Sequence, residues 1–168
     1  MLLIAHVAIS LIAIVAGLVV AYGLVTAQRL DRWTSLFLWT TIATSVTGFP
    51  LPADQILPSH IVGAISLVVL TIAVVAWYVR RLANGWRAAY VVTAVMALYL
   101  NVFVLVVQLF RRVPALNALA PTQAEPPFAI AQLFVLVLFV ALGIVALKKF
   151  RGKAVVAGGA RGSSPLSV

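Results

Sequence analysis

The sequence contains no cysteine and only three acidic residues among 168. Without cysteine there is no disulfide, no thiolate metal site and no cysteine nucleophile, and thiol chemistry says nothing about the compartment. The acids Asp31, Asp54 and Glu125 stand far apart. No carboxylate pair is available for acid–base work. None of the three lies inside an apolar run, so the carboxylate of a membrane proton relay is missing as well. Histidine occurs twice, as His6 and His60. There is no glycine-rich phosphate loop and no Ser-His-Asp order. No catalytic residue is assigned, and the sequence leans away from an enzyme without deciding the point.

Apolar residues fill the remaining space. They make up 64% of the chain against 9% charged, with a mean hydropathy of +1.17. A soluble domain is about half apolar and about a quarter charged. The surplus must face lipid. In a bilayer every backbone N–H and C=O needs an internal partner, so spanning segments are helices or closed barrels. The runs here are near-continuous and about 20 residues long, which suits helices. The expected fold is all-α, an integral membrane bundle of five transmembrane helices over 2–25, 33–49, 56–79, 88–110 and 128–147. The second is the shortest and the richest in threonine. Residues 1–150 form the transmembrane domain. Residues 151–168 form a basic tail, expected to be disordered.

The basic residues set a direction. Arg29 and Arg32 follow the first run; Arg80, Arg81 and Arg87 follow the third. Lys148, Lys149, Arg151, Lys153 and Arg161 follow the fifth. Those two loops and the tail hold ten of the twelve basic residues. The positive-inside rule places them in the cytoplasm of a bacterial inner membrane, with the N-terminus outside and the C-terminus inside. The net charge of +9 is thereby explained without a nucleic-acid partner. A signal peptide cleaved near Val25-Thr26-Ala27 is disfavoured: the first run has no basic start, is too long, and is interrupted by His6. The outer turn 50–58 is bracketed by Pro50, Pro52 and Pro58. The segment 111–127, with four prolines, reads as a loop on the outer surface. Asp31 reads as a loop ion pair, and Glu125 as a partner of Arg111 or Arg112 in preference to a lid over the pocket.

Polar side chains in a bilayer are costly, so their placement is the best functional clue. His6, Ser10, Ala13, Gly17 and Ala21 share one face of the first helix, and Ala13-Gly17-Ala21 is a track for close helix approach. The direction deduced above puts His6, His60, Thr47, Gln108 and Gln132 in the outer half, with Asn101 nearer the middle. At the helical rise, both histidines lie roughly 5–8 Å below the outer edge of the hydrocarbon. These six residues are the candidate cofactor-binding set, lining one pocket open to the outer face. His6 and His60 are the candidate haem-iron ligands, because a membrane haem b takes two neutral imidazoles from facing helices. A quinone-like or other lipid-like ligand is the second candidate. Zinc would need two more ligands, with only Asp54 and Glu125 on that side. The same residues also fit a ligand-free reading, in which hydroxyls and amides bond their own backbone or a neighbouring helix. The protein would then be an accessory or structural subunit of a membrane complex, or a homo-oligomer. Transport is disfavoured, since no broken helices or repeats surround a midplane site.

The strings TSVTGF (44–49), PSH (58–60), NVFVLVVQ (101–108) and PALNALAPTQAEPPF (114–128) resemble a family of small, uncharacterised proteobacterial multi-pass membrane proteins. The resemblance covers about residues 1–150. It implies a natural membrane domain and brings no activity with it. The histidine pair also resembles, loosely, that of transmembrane b-type cytochromes, which carry more histidines than this chain.

Overall fold

The computed structural model describes residues 2–48 and 58–159, with side chains for 3–48 and 61–150. Helix α1 is Leu2–Val25 and α2 is Asp31–Gly48. Helix α3 is Pro58–Val74 and continues as a π turn over Val75–Val79. Helix α4 is Trp86–Arg112, α5 is Pro114–Leu119 and α6 is Pro126–Gly159. The described residues contain no strand. The backbone satisfies itself within each helix, as an apolar solvent demands.

Local signals mark the boundaries. Asp31 sits in the first turn of α2 and Arg111 and Arg112 in the last turn of α4, each complementing the helix dipole. Pro114 opens α5 within the stretch expected to be loop, where its fixed φ suits a first helical turn. After α1 the chain folds back on itself: the Gln28 amide reaches the Gly23 carbonyl at 2.7 Å, with Ala27 at φ 54°. A Cβ at Gly23 would lie 3.0 Å from the Gln28 carbonyl oxygen, so a larger residue would obstruct this turn. In the π turn the Arg80 amide bonds the Val75 carbonyl at 2.9 Å. The widened turn lets adjacent residues reach different neighbours, Trp77 packing on Tyr90 of α4 and Tyr78 bonding Ser35 of α2.

Helices α1, α2, α3 and α4 pack in sequence, α4 also meets α1, and α6 lies against α4 and α1. Four helices are long and apolar enough to cross a membrane: Leu3–Val25, Ile61–Val79, Trp86–Arg112 and Pro126–Phe150. In α4, 39% of the spanning window is buried, against 11% in α6, so α4 is central and α6 peripheral. Helix α2 is not among the four. It carries Asp31, Arg32, five threonines and two serines in 18 residues. Its Thr34, Thr41 and Ser45 are buried, whereas Trp33, Leu36, Trp39 and Val46 are exposed. Its buried side combines these hydroxyls with Phe37 and Leu38, and a row of large apolar residues faces out.

The bundle has a basic end, with Arg29, Arg80, Arg87 and Lys148, and a histidine end, with His6 and the first turn of α3. Burial is concentrated toward the basic end, in Ala13–Leu24 of α1, Ser66–Trp77 of α3 and Tyr90–Leu98 of α4. Ala13, Gly17 and Ala21 are all buried. The expected outer turn 50–58 lies almost wholly outside the described residues. Helical backbone continues to Gly159, within the stretch expected to be tail, and 160–168 lie outside the description.

Candidate functional site

His6 sits one turn into α1. Its Nδ1 lies 2.9 Å from Thr47 Oγ1 of α2. That hydroxyl donates its single proton to the Ala43 carbonyl at 2.7 Å. The direction of the bond to the imidazole follows the tautomer of His6, with Nδ1 as the anchored nitrogen and Nε2 outside that bond. A Cβ at Gly48 would lie 3.5 Å from His6 Cε1, so the ring packs against the end of α2. Ser10 is spent on its own helix, donating to the His6 carbonyl at 2.7 Å.

Asn101 donates from Nδ2 to Thr41 Oγ1 at 3.3 Å, joining α4 to α2. Gln132 donates from Nε2 to the Phe103 carbonyl at 3.3 Å, joining α6 to α4. Gln132 is only 9% exposed, and its Oε1 has no partner among the described residues. Thr44 Oγ1 is likewise buried and unpartnered there. Gln108 is exposed and touches none of the others by hydrogen bond. His60 is in the first turn of α3, at the same end as His6, and its side chain lies outside the described residues.

The candidate residues thus occupy three seams: His6 with Thr47 between α1 and α2, Asn101 with Thr41 between α4 and α2, and Gln132 between α6 and α4. Residues 101 and 103 are two positions apart on a helix and face different ways. Neither of two surface concavities involves the set. One, of about 240 Å³, is an apolar groove on α1 and α2 lined by Leu11, Val15, Trp33 and Leu36. The other, of about 10 Å³, lies at the basic end among Leu24, Arg29, Thr34, Trp77, Tyr90 and Phe150.

Compared with family models, with curated proteins and with solved structures, the chain finds no match. Its chemistry is carried by its own residues.

Asn101 and Gln132 share one property: each spends its amide donor on the protein and retains a carbonyl acceptor. Among the described residues no group of three His, Cys, Asp or Glu side chains is assembled. Glu125 differs from its expected role as a partner of Arg111 or Arg112. Its carboxylate accepts from the Thr122 hydroxyl at 2.8 Å and amide at 3.2 Å, and from the Ala124 amide at 3.1 Å. A small desolvation raises its pKa, and these hydrogen bonds outweigh it, holding the carboxyl below its ordinary value. Asp31 does form the expected ion pair, with Arg29 Nε at 2.8 Å.

Several functional contacts lay outside the sequence reading. Gln123 donates to the Val107 carbonyl at 3.0 Å and Asn117 to the Phe110 carbonyl at 3.2 Å, pinning the 113–125 connection onto the end of α4. Their polarity within an apolar, proline-rich loop was the available signal. At the basic end, buried Tyr90 donates to Thr34 at 3.2 Å and Tyr78 to Ser35 at 2.9 Å. A tyrosine in an apolar run carries no such signal.

Proposed function

We propose that the chain is a five-span protein of a bacterial inner membrane, with N-terminus outside and C-terminus in the cytoplasm. In this reading its outer half holds a lipid-soluble, hydrogen-bond-donating ligand of the quinol class at the seam of α4 and α6. The orientation rests on the charge asymmetry. The fifth span is α2, and its support is the outward-facing row of Trp33, Leu36, Trp39 and Val46 over a buried hydroxyl face.

The observation that carries the ligand is the buried, unpartnered Gln132 carbonyl. An unpaired buried acceptor costs about 1–3 kcal/mol, so it is an expected place for a donor to bind. It adjoins the Tyr99–Val107 stretch of α4, where every residue is half-buried. Extraction of the purified protein with organic solvent, followed by ultraviolet absorption and mass analysis, tests this. A quinone-class compound should co-purify with the wild type and be lost in Gln132→Leu. An extract free of such compounds would end the reading.

One observation favours haem b as the second reading. His6 has Nδ1 anchored on Thr47 at 2.9 Å and Nε2 outside that bond, and a ligating imidazole is held by its second nitrogen in this way. His60 is the only other histidine that could complete the pair. A Soret band lost in His6→Ala and in His60→Ala would establish it. A colourless protein after expression with ample haem would remove it.

A further inference from the structure

At the basic end three arginines lie over aromatic rings. Arg29 is 4.6 Å from the Trp77 ring centroid, Arg80 is 5.0 Å from Trp86, and Arg87 is 5.7 Å from Phe150. Two of these stacks border one small cavity, since Arg29, Trp77 and Phe150 all line it. Its volume of about 10 Å³ holds at most a single water, so neither an acyl chain nor a headgroup can enter. A partner must sit on the rim.

The rim has a definite chemistry. A guanidinium held within about 6 Å of a ring centroid is restrained by cation–π attraction, and its remaining N–H donors match the oxygens of a phosphate. Asp31 takes the Nε of Arg29 and places one carboxylate at the same end. Arg32, Arg81, Lys148 and Lys149 are exposed there too, so positive charge remains in large excess. Arg111 and Arg112, at the opposite end, stack on no ring among the described residues. The difference between the ends is therefore one of geometry as well as of charge number.

We propose that the Arg29–Trp77 and Arg87–Phe150 stacks form a two-point clamp for the phosphodiesters of a diphosphatidylglycerol headgroup in the adjoining leaflet. A headgroup with two phosphates can engage both stacks, whereas a single phosphate can engage one. This site is independent of the ligand proposed for the outer half.

The test uses the purified full chain in detergent micelles, titrated with diphosphatidylglycerol, phosphatidylglycerol and phosphatidylcholine at matched phosphate and read by native mass spectrometry. Diphosphatidylglycerol should bind about tenfold more tightly than phosphatidylglycerol, as befits one additional charge-assisted contact. The Arg29→Lys/Arg87→Lys variant keeps both charges but neither fork nor stack, and should lose that preference. Arg111→Lys/Arg112→Lys should keep it. Lysines at 29 and 87 that retain the wild-type preference would reduce the effect to diffuse charge and overturn the proposal. So would equal affinity for the two anionic lipids, or an equal loss in the variant at the opposite end. Helical circular dichroism checks folding. Should the double variant lose its helices, the single Arg87→Lys, whose arginine holds no ion pair among the described residues, is judged by the same criterion.

Discussion

From Tyr90 to Leu98 the central helix α4 is buried at seven of nine positions; from Tyr99 to Val107 it is half-exposed at all nine. Both stretches are apolar. They differ in side-chain size. The first includes Thr93, Ala94 and Ala97, and it meets neighbours bearing Ala13, Ala16, Gly17, Ala73 and Ala76, all buried. The second includes Tyr99, Phe103, Leu105 and four valines. Small residues let helix backbones approach, and in lipid that dispersion contact replaces the hydrophobic drive. Close packing at the basic end and loosened packing at the histidine end follow from this distribution. Polar bonds tie both halves, so they do not account for the difference.

Phe37→Ala should break the comparison most severely. Phe37 is fully buried in the tight half, and its loss should lower stability by about 3–5 kcal/mol. Val104→Ala in the loose half should lower it by less than about 1.5 kcal/mol. Both are read as midpoint shifts in sodium dodecyl sulfate titrations, and equal shifts would refute the contrast. Gly17→Val comes next. A Cβ there would lie 2.5 Å from Leu98 Cδ1 and 2.8 Å from Phe37 Cε2, both on buried side chains. Repacking should cost about 1–3 kcal/mol by the same titration.

Tyr90→Phe removes one interhelical hydrogen bond from the tight half while keeping the ring on Trp77. The expected loss is about 0.6 kcal/mol, in line with such bonds in membranes. Gln132→Leu should change stability by no more than about 0.5 kcal/mol in delipidated protein, because it removes an unpaired acceptor together with a weak bond. A large loss there would place Gln132 in the framework and not at a ligand.

The smallest effect concerns pH. The Glu125 carboxyl is held below its ordinary value, so its bonds to Thr122 and Ala124 are fully present above the ordinary carboxylate range. They are lost as pH falls through the depressed folded value. Amide exchange at Thr122 and Ala124 should rise in acid relative to neighbouring amides after correction for intrinsic rates. Thr122→Ala should move that rise toward the ordinary carboxylate pKa.

The helices were legible because 20-residue apolar runs admit little else. Their rotation was not. In a soluble protein the polar face reports the outside, but here lipid and core are equally apolar, and a helix such as α6 carries no stripe to orient it. The exceptions bear this out. The small-residue track of α1 was readable and is buried; the threonine richness of α2 was readable too, with Thr34 and Thr41 buried and Thr40, Thr44 and Thr47 half-buried. His6, Asn101 and Gln132 were identifiable as polar groups. Their distribution over three seams depends on which helix adjoins which, and no single helix encodes that. Glu125 was misassigned because the hydroxyl three residues away was overlooked in favour of distant arginines.

The hydroxyl-rich composition of α2 also bears on biogenesis. A segment with seven hydroxyl side chains and two charged residues partitions poorly into lipid when it leaves the translocon alone. Helix α1, apolar and uncharged except for His6 and Ser10 near its start, precedes it by a five-residue connection (26–30) folded back at Gly23. As a hairpin, α1 covers part of the hydroxyl face, and the His6–Thr47 bond closes the pair at its far end. Under the five-span reading proposed above, insertion of α2 is coupled to that of α1, and the first two helices enter the membrane as one unit.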